Sequence, residues 1–413
     1  MKSLNCKNCR NCNKKNNFYE LFSLGKLSYT GKFPKNKKIN IPKSEIKLVI
    51  CKNCKLVQVS KEFDLNYMYD NNYGYRTGIN HTMTSHVKSI TNELSLKKNF
   101  LNKSDYVLDI ASNDATLLNS YQKNLTRVGI DPTINKYRKF YNNIDFKISN
   151  FFSKKRLTKV LKNNKFKAIT ALAVFYDLKN PNQFLKDISE IIDEKKGIFI
   201  LEFQDLLSII KNNLFDTICH EHLGYYSTKI ILKMVKNNNL KILDIKKNKI
   251  NGGSTRFYIC HKKANYKIKE NKIKKVIKYE LKFKLENKNT YRNFFKKIVN
   301  IKKRLNKKIN DIKKHGKIIH GYGASTKGNV LLQFFNINKN HLDLIADRNP
   351  LKDGYYTPGT KLLIKNEKYS RKINPDYYLV LPWHFKDEII KREKKIRLKG
   401  TKFIFPLPNI DIK

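Results

Sequence analysis

The strongest constraint on the fold is a series of short apolar strands that alternate with helix-forming segments from Tyr106 onward. The strand Y-V-L-D-I at 106–110 leads through the loop A-S-N-D-A into a helix-forming segment, T-L-L-N-S-Y. A second strand ends at Asp131, and an apolar strand that begins at Ala168 precedes a predicted helix from Asn182 to Asp193. This alternation predicts a doubly wound, Rossmann-like α/β sheet that binds ligands at the carboxyl ends of its strands.

The loop after the first strand narrows the choice of ligand. It lacks the glycines of the G-x-G-x-x-G pattern, which let a pyrophosphate approach the backbone. Asp131 follows Asp109 by about twenty residues, the spacing at which an acid accepts ribose hydroxyls. S-adenosylmethionine has a ribose but no phosphate, so we expect this cofactor. The predicted contacts are Asp109, Ala111, Ser112, Asn113, Asp114, Asp131, Asn150 and Phe151.

A second α/β unit begins at Lys317. Its first strand runs into G-Y-G-A-S-T-K-G-N, in which glycines, Ser325 and Lys327 precede a predicted helix. Backbone N–H groups and a cation at a helix start suit a phosphate group. Between the two units, residues 263–314 carry Lys, Ile, Leu and Glu at helical spacing. This pattern predicts a basic helical linker with solvated faces.

Two C-x-x-C pairs near the start of the chain predict a zinc site. Cys6 and Cys9 form one pair, and Cys51 and Cys54 form the other. Four thiolates suit tetrahedral zinc and leave no open coordination position, so its role would be structural. Cys12 is a possible substitute ligand, and free reduced thiols are the alternative to a metal site. The odd count of seven cysteines, without an export signal, argues against disulfides.

The formal net charge of +52 would normally indicate a nucleic-acid partner or an anionic surface. The lysines accompany abundant Asn and Ile over the whole chain, however, which indicates a compositional bias. We therefore do not expect nucleic acid as a partner, although the charge favours anionic small substrates. Apolar runs are of strand length and no apolar h-region follows Met1. We expect a cytoplasmic protein without membrane contact.

The stretch F-D-T-I-C-H-E-H-L-G-Y-Y-S at 215–227 has the densest set of proton-handling side chains. If it is extended, His220 and His222 share a face and Glu221 points the other way, so a direct His-Glu-His relay is not the natural geometry. A surface loop is one alternative. A metal hydrolase built on both histidines is another, but no further ligand lies at metal spacing nearby.

Taken in order, these motifs resemble the sugar C-methyltransferase family over nearly the whole chain. Its most specific segments here are V-L-D-I-A-S-N-D-A-T-L-L (107–118), F-D-T-I-C-H-E-H (215–222), I-N-G-G-S-T-R (250–256), G-Y-G-A-S-T-K-G-N (321–329) and D-R-N-P-L-K-D-G-Y-Y-T-P-G-T (347–360). Members of the family methylate a ring carbon next to the keto group of a nucleotide-linked deoxysugar. The resemblance implies a zinc module (1–75), a central methyltransferase domain (76–262), the basic helical linker (263–314) and a C-terminal Rossmann-like substrate domain (315–413).

The resemblance also implies roles for single residues. His222 would be the base or its close partner, with His220 in reserve, Glu221 would orient the substrate, and Tyr75 would reach in from the N-terminal side. The implied sugar-nucleotide contacts are Asn251, Gly253, Tyr322, Ser325, Lys327, Asn329, Asp347 and Arg348. Relatives often carry Tyr before H-E-H, His at a strand end and Gly in the donor loop. This chain has Cys219, Asp177, and Ala111 with Ala115 at those positions.

Two other functions stay open at this stage. One is methylation of an oxygen or nitrogen of another small molecule by the same cofactor. The other is a basic, zinc-containing protein that binds or modifies RNA. We expect a small-molecule nucleotide sugar as the partner, and a monomer or a weak dimer.

Overall fold

The N-terminal module contains a small antiparallel sheet, one strand of which comes from a distant part of the chain. The computed structural model describes residues 4–69, 74–96 and 100–413, without the side chains of residues 65 and 66. The module contains strands Leu4–Asn5, Phe18–Ser28, Lys43–Cys51, Val57–Val59 and Lys61–Glu62 and helix Leu65–Met68. Strand Gly224–Tyr225 pairs with Val57–Val59 and completes a four-stranded sheet. The pairing fixes the 215–227 stretch against the module.

The central unit is the predicted doubly wound sheet. Its seven strands, in spatial order, are Leu240–Asn248, Ser254–His261, Ile198–Phe203, Ala168–Leu172, Tyr106–Ile110, Thr126–Ile130 and Phe146–Ile148. Ser254–His261 runs antiparallel to both of its neighbours, and the other pairs from Ile198–Phe203 onward are parallel. The helices are His81–Ser95, Ile134–Tyr137, Lys154–Leu161, Pro181–Ile191, Leu206–Lys211 and Thr228–Asn237. The segment T-L-L-N-S-Y forms only a short 3₁₀ turn, Leu118–Ser120, where a helix was predicted.

Helices Glu270–Leu281 and Lys288–Lys314 lead to the C-terminal unit. The longer helix was expected to have solvated faces, but it buries one apolar stripe at helical spacing, formed by Tyr291, Phe294, Ile298, Ile301, Leu305, Ile309 and Ile312. Phe294 packs on Phe22 of the N-terminal module, with ring centroids 5.7 Å apart. The stripe therefore joins a core shared by the N-terminal module and the C-terminal unit. The domain limits given above stay a prediction.

The C-terminal unit is a second Rossmann-like sheet. Its strands, in spatial order, are Ile364–Asn366, Ile345–Asp347, Ile319–Tyr322, Tyr377–Val380, Lys402–Phe405 and Asp411–Ile412, of which only the last pairs antiparallel. The helices are Thr326–Phe335, Glu367–Ile373, Lys386–Arg392 and Lys394–Leu398. Across the described ranges, no helix is both long enough and apolar enough to cross a membrane.

Candidate active site

A cavity of about 410 Å³ lies where the three units meet. The central sheet contributes the loops after its strands, the C-terminal sheet contributes the loop Gly323–Lys327, and the N-terminal part contributes Phe33 and Tyr69. The 215–227 stretch contributes Glu221 and His222. The carboxyl ends of two Rossmann-like sheets thus open on one space, which suits the meeting of two ligands.

His222 faces this cavity with a fixed tautomer. Its Nδ1 lies 2.6 Å from the carbonyl oxygen of Thr217, and a carbonyl can only accept, so Nδ1 carries the proton. The Tyr176 ring packs against the imidazole with centroids 4.1 Å apart. Burial, and then the positive charge of Lys327, lower the pKa of His222 to about 3. At neutral pH, Nε2 therefore presents an unprotonated lone pair.

Glu221 is held by the N-terminal module. Thr30 donates its hydroxyl proton to Oε2 at 3.1 Å, and a side chain at Gly31 would come within 2.6 Å of Oε1. Glycine at 31 is therefore what allows the carboxyl group to fit. Within the described ranges Oε1 has no hydrogen-bond partner, and burial raises the pKa of Glu221. Glu221 is nevertheless one of the residues that line the cavity.

His220 does not reach the cavity, which corrects its prediction as a reserve base. Its ring is fully buried in the N-terminal module, where it packs against Tyr29 and Phe63 with centroids 4.7 and 4.9 Å away. Nε2 lies 3.3 Å from the carbonyl oxygen of Ser44. The segment is irregular rather than extended, so the two histidines do not share a face.

Asp177, which stands where relatives often carry a strand-end His, lines the cavity, although the sequence prediction gave it no role. It lies just beyond the strand Ala168–Leu172, and Tyr69 donates its hydroxyl proton to Oδ2 at 2.9 Å. Oδ1 lies 4.0 Å from Nε2 of His222. Burial raises the pKa of Asp177 well above its usual value, with the negative charge of Glu221 adding to the effect.

The donor half of the cavity is built by the loops after the first two strands of the central sheet. Asp131 accepts from the backbone N–H of Asn113 through Oδ2 (3.0 Å) and from that of Thr133 through Oδ1 (2.6 Å). Asp109 accepts from the Thr170 hydroxyl at 2.6 Å, and burial raises its pKa to about 7. The predicted residues that line this half are Asp109, Ala111, Ser112, Asn113, Asp131 and Phe151.

Two predicted cofactor contacts do not line the cavity. Asp114 is buried and accepts from Nε of Arg76 and the N–H of Gly78, both at 2.9 Å. Its carboxylate therefore holds the segment that precedes helix His81–Ser95 and does not face a ligand. Asn150 is exposed and accepts from the N–H of Phe151. Only the neighbouring Phe151 reaches the cavity.

Tyr75 lines the cavity on its N-terminal side. Its backbone carbonyl accepts from the Tyr137 hydroxyl at 2.8 Å and from the amide of Asn113 at 3.3 Å. Tyr75 keeps 44% of its surface accessible and is one of the residues that line the cavity.

The C-terminal half repeats the acid geometry of the donor half. Asp347, at the end of the second strand, accepts from the N–H of Ala324 through Oδ2 (2.6 Å) and from that of Asn349 through Oδ1 (2.7 Å). Asp131 accepts two equivalent hydrogen bonds. One comes from Asn113, in the loop after the first strand, and the other comes from Thr133, two residues after Asp131. Both carboxylates line the same cavity.

The other predicted sugar-nucleotide contacts divide into two groups. Those that line the cavity with Asp347 are Asn251, Tyr322, Ser325, Lys327 and Arg348. Gly253 lies outside it, where a side chain would meet Ser208 at 2.9 Å. Asn329 is fully buried and donates its amide N–H to the carbonyl of Thr30 at 2.7 Å. Asn329 therefore holds the loop that positions Glu221, which corrects its predicted contact with substrate.

Lys327 is a cation that acts electrostatically on His222. Its ammonium lies 3.3 Å from both Oε1 of Gln204 and the carbonyl oxygen of Asn251. Burial lowers its pKa, and the carboxyl group of Asp216 opposes this shift. Trp383 in turn donates its indole N–H to Asp216 at 2.7 Å. The arrangement places a buried positive charge beside the cavity.

The cysteine cluster contains Cys9, Cys12, Cys51 and Cys54, whose sulfur atoms all lie within 4.8 Å of one another. Cys12 thus replaces Cys6 in the predicted set. In each pair, the first cysteine donates its backbone N–H to the carbonyl oxygen of the residue five positions later. Cys9 donates to Lys14 (3.0 Å) and Cys51 donates to Leu56 (2.9 Å). The residues four positions after Cys9 and Cys51 both have positive φ. The two turns are therefore equivalent, and the first one begins at Cys9.

The comparisons with known proteins agree on the class of enzyme. Residues 79–245 match the family described as "Methyltransferase domain", and residues 249–408 match "C-methyltransferase C-terminal domain". The C-methyltransferase NovU of Streptomyces niveus is 24% identical over 363 residues, which are 87% of this chain and 86% of NovU.

Two solved structures are also similar to the chain. An S-adenosylmethionine-dependent methyltransferase from Clostridium acetobutylicum ATCC 824 has 13% identity and a TM-score of 0.35, with coverage of 43% of this chain and 92% of that one. Magnesium protoporphyrin IX methyltransferase (ChlM) from Synechocystis PCC 6803 with bound SAM has 13% identity and a TM-score of 0.33, with coverage of 43% and 79%.

Proposed function

We propose that this S-adenosylmethionine-dependent methyltransferase, whose residues 249–408 match the C-methyltransferase C-terminal domain, methylates a carbon next to the keto group of a nucleotide-linked deoxysugar. The observation that carries this proposal is the pair of equivalent acids, Asp131 and Asp347, in a cavity that also contains His222 and Glu221. A strand-end acid in a Rossmann-like sheet is suited to ribose hydroxyls. Two such acids on one cavity indicate two nucleosides: one in the methyl donor and one in the substrate.

The residues of the donor half fit S-adenosylmethionine. Asp131 is aligned for the ribose diol because two backbone N–H groups fix its carboxylate. Phe151 offers an apolar face to the adenine, and the raised pKa of Asp109 leaves it partly neutral beside Asp131. When bound, the cofactor supplies an electrophilic methyl group on a sulfonium.

His222 takes the proton from the carbon that is to be methylated. Its Nδ1–H is committed to Thr217, so Nε2 is the acceptor. A buried imidazole with a pKa near 3 is a weak base. The reaction therefore depends on stabilisation of the enolate oxygen that forms as the proton leaves. Lys327 provides a positive charge beside the cavity, and Glu221 offers Oε1 to a sugar hydroxyl.

We also propose that Cys9, Cys12, Cys51 and Cys54 bind one structural zinc ion. A tetrahedron with Zn–S bonds of about 2.3 Å has S–S edges of about 3.8 Å. The Cys9–Cys54 and Cys12–Cys51 sulfur distances are 3.4 and 3.6 Å, close to that value. The ion would hold the module whose Thr30 and Gly31 position Glu221.

Calorimetric titration tests the two-nucleoside proposal. S-adenosylhomocysteine and thymidine diphosphate are titrated separately into the zinc-loaded protein, and then each into protein saturated with the other. We expect one site for each ligand and no competition between them. Absence of S-adenosylhomocysteine binding, or mutual displacement at a single site, would refute the assignment of the two halves.

A further inference from the structure

The feature that carries a further inference is the unpaired oxygen of Asp177. Tyr69 fixes the orientation of the carboxyl group by donating to Oδ2 at 2.9 Å. Oδ1 is buried, and no described residue hydrogen-bonds to it. It lies 4.0 Å from Nε2 of His222, too far for a direct hydrogen bond. Both residues line the cavity, so a substrate bound there would lie beside both of them.

The charges around Asp177 favour its neutral form. Burial is the main cause of its raised pKa, and the nearest acid, Glu221, adds a like charge. Tyr176, Tyr225 and Cys219 also face it, and all three stay protonated at neutral pH because burial raises their pKa values. Across the ranges that the structure describes, Asp177 has no ion pair with a lysine or an arginine, and burial keeps the His222 imidazole neutral. A carboxylate would be left without a cation partner here.

We propose that Asp177 is a catalytic residue that donates a hydrogen bond from a protonated Oδ1 to the substrate oxygen attached to the carbon next to the methylated one. This inference rests on the proposed function. The C–H bond breaks and its proton moves to Nε2 of His222, while the electron pair forms a C=C bond and the carbonyl π pair moves to oxygen. The resulting enolate oxygen accepts the hydrogen bond from Asp177. The carbon then bonds to the methyl group, and the S–CH₃ pair stays on sulfur.

This role explains why a weak base suffices. The driving force for proton removal comes from stabilisation of the oxygen rather than from the basicity of His222. It also restricts the substrate, which must carry a carbonyl oxygen beside the reacting carbon. Methyl transfer to a free hydroxyl or amine needs no such donor, so Asp177 favours carbon methylation.

Substitutions at Asp177 distinguish a neutral donor from an ionised group. Asp177→Asn keeps an N–H donor toward the cavity while its carbonyl accepts from Tyr69, so we expect kcat within about tenfold of wild type. Asp177→Ala removes the donor, and loss of one such donor costs about 100- to 1000-fold in kcat. The probe is thymidine diphosphate 4-keto-6-deoxyglucose with labelled S-adenosylmethionine. Asp343→Asn, a carboxyl group paired with Lys313 outside the cavity, is the control and should leave kcat unchanged. An Asn variant as inactive as the Ala variant would overturn the donor role.

Infrared difference spectroscopy tests the protonation state without any substrate. The spectrum of wild type minus Asp177→Asn at neutral pH should contain the C=O stretching band of a neutral carboxyl group. A carboxylate band in its place would overturn the proposal, whatever the enzyme methylates. A wild-type protein that shows the neutral band but does not methylate the ketosugar would contradict the proposed substrate and leave the neutral state of Asp177 established. The two failures are therefore distinguishable.

Discussion

Replacement of Cys12 by serine should remove the zinc ion, whereas replacement of Cys6 should not. Cys12 belongs to the four-sulfur cluster, and its sulfur lies 3.6 Å from that of Cys51. Cys6 lies outside the cluster, and its thiol makes two weak contacts, with the Asn8 carbonyl at 3.2 Å and the Gln58 amide at 3.5 Å. The two variants therefore distinguish the four ligands indicated by the structure from the four predicted from the spacing of the cysteines.

The expected magnitudes differ widely. A structural zinc site supplies about 10–16 kcal/mol to the fold that it closes. A whole domain is stable by about 5–15 kcal/mol, so a module that loses zinc should unfold rather than loosen. Loss of the two Cys6 contacts costs at most about 1–2 kcal/mol. Unfolding of the module would also release Thr30 and Gly31 from Glu221 and abolish activity.

The assay measures bound zinc per chain by atomic spectroscopy, together with limited proteolysis of the N-terminal module. We expect one zinc ion in wild type and Cys6→Ser. For Cys12→Ser we expect little zinc and rapid cleavage before residue 69. Retained zinc in Cys12→Ser, combined with loss of zinc in Cys6→Ser, would refute the assignment of the four ligands.

Three further predictions follow from the geometry. Burial lowers the pKa of His220 from 6.5 to about 4, so between these pH values the unfolded chain binds a proton that the folded chain does not. Acidification to pH 5 should therefore lower the free energy of unfolding by about 2 kcal/mol. Urea titrations of His220→Gln should lack this part of the pH dependence. Ala111 has φ of 59°, so Ala111→Gly should raise the free energy of unfolding by about 0.5–1 kcal/mol, whereas Ala171→Gly inside a strand should lower it; equal effects would contradict the strain argument. Asp131→Asn should weaken S-adenosylhomocysteine binding about tenfold to a hundredfold and leave thymidine diphosphate binding unchanged, and Asp347→Asn should do the reverse. If calorimetry finds that either change weakens the binding of both ligands, the two half-sites are not separate.

Local pattern was enough to predict the two Rossmann-like sheets and the strand-end acid Asp131, whereas Asp347 was implied by the family resemblance. Asp131 follows an apolar strand and Asp347 ends one, and both line the cavity. Some missed features also had local signals. Asn13 tolerates positive φ and stands where the turn after Cys9 requires it, which favoured Cys9 and Cys12 over Cys6 and Cys9. The buried stripe of the helix Lys288–Lys314 could likewise have been identified from its spacing.

Other features depend on contacts between distant parts of the chain. His220 is buried because Gly224–Tyr225 pairs with the N-terminal sheet, and nothing near residue 220 signals that pairing. Asp114 is engaged by Arg76 and Asn329 by Thr30, partners that lie far away in sequence. These long-range hydrogen bonds determine which polar side chains can face a ligand. The periodicity of the sequence does not predict them.

The most direct test of the central claim is to locate the new methyl group. The zinc-loaded enzyme is incubated with S-adenosylmethionine labelled with ¹³C in its methyl group and with thymidine diphosphate 4-keto-6-deoxyglucose, and the product is examined by two-dimensional NMR. We expect the labelled methyl to be bonded to a ring carbon next to the keto group. A methyl group bonded to oxygen, or no transfer to this ketosugar, would contradict the proposed reaction.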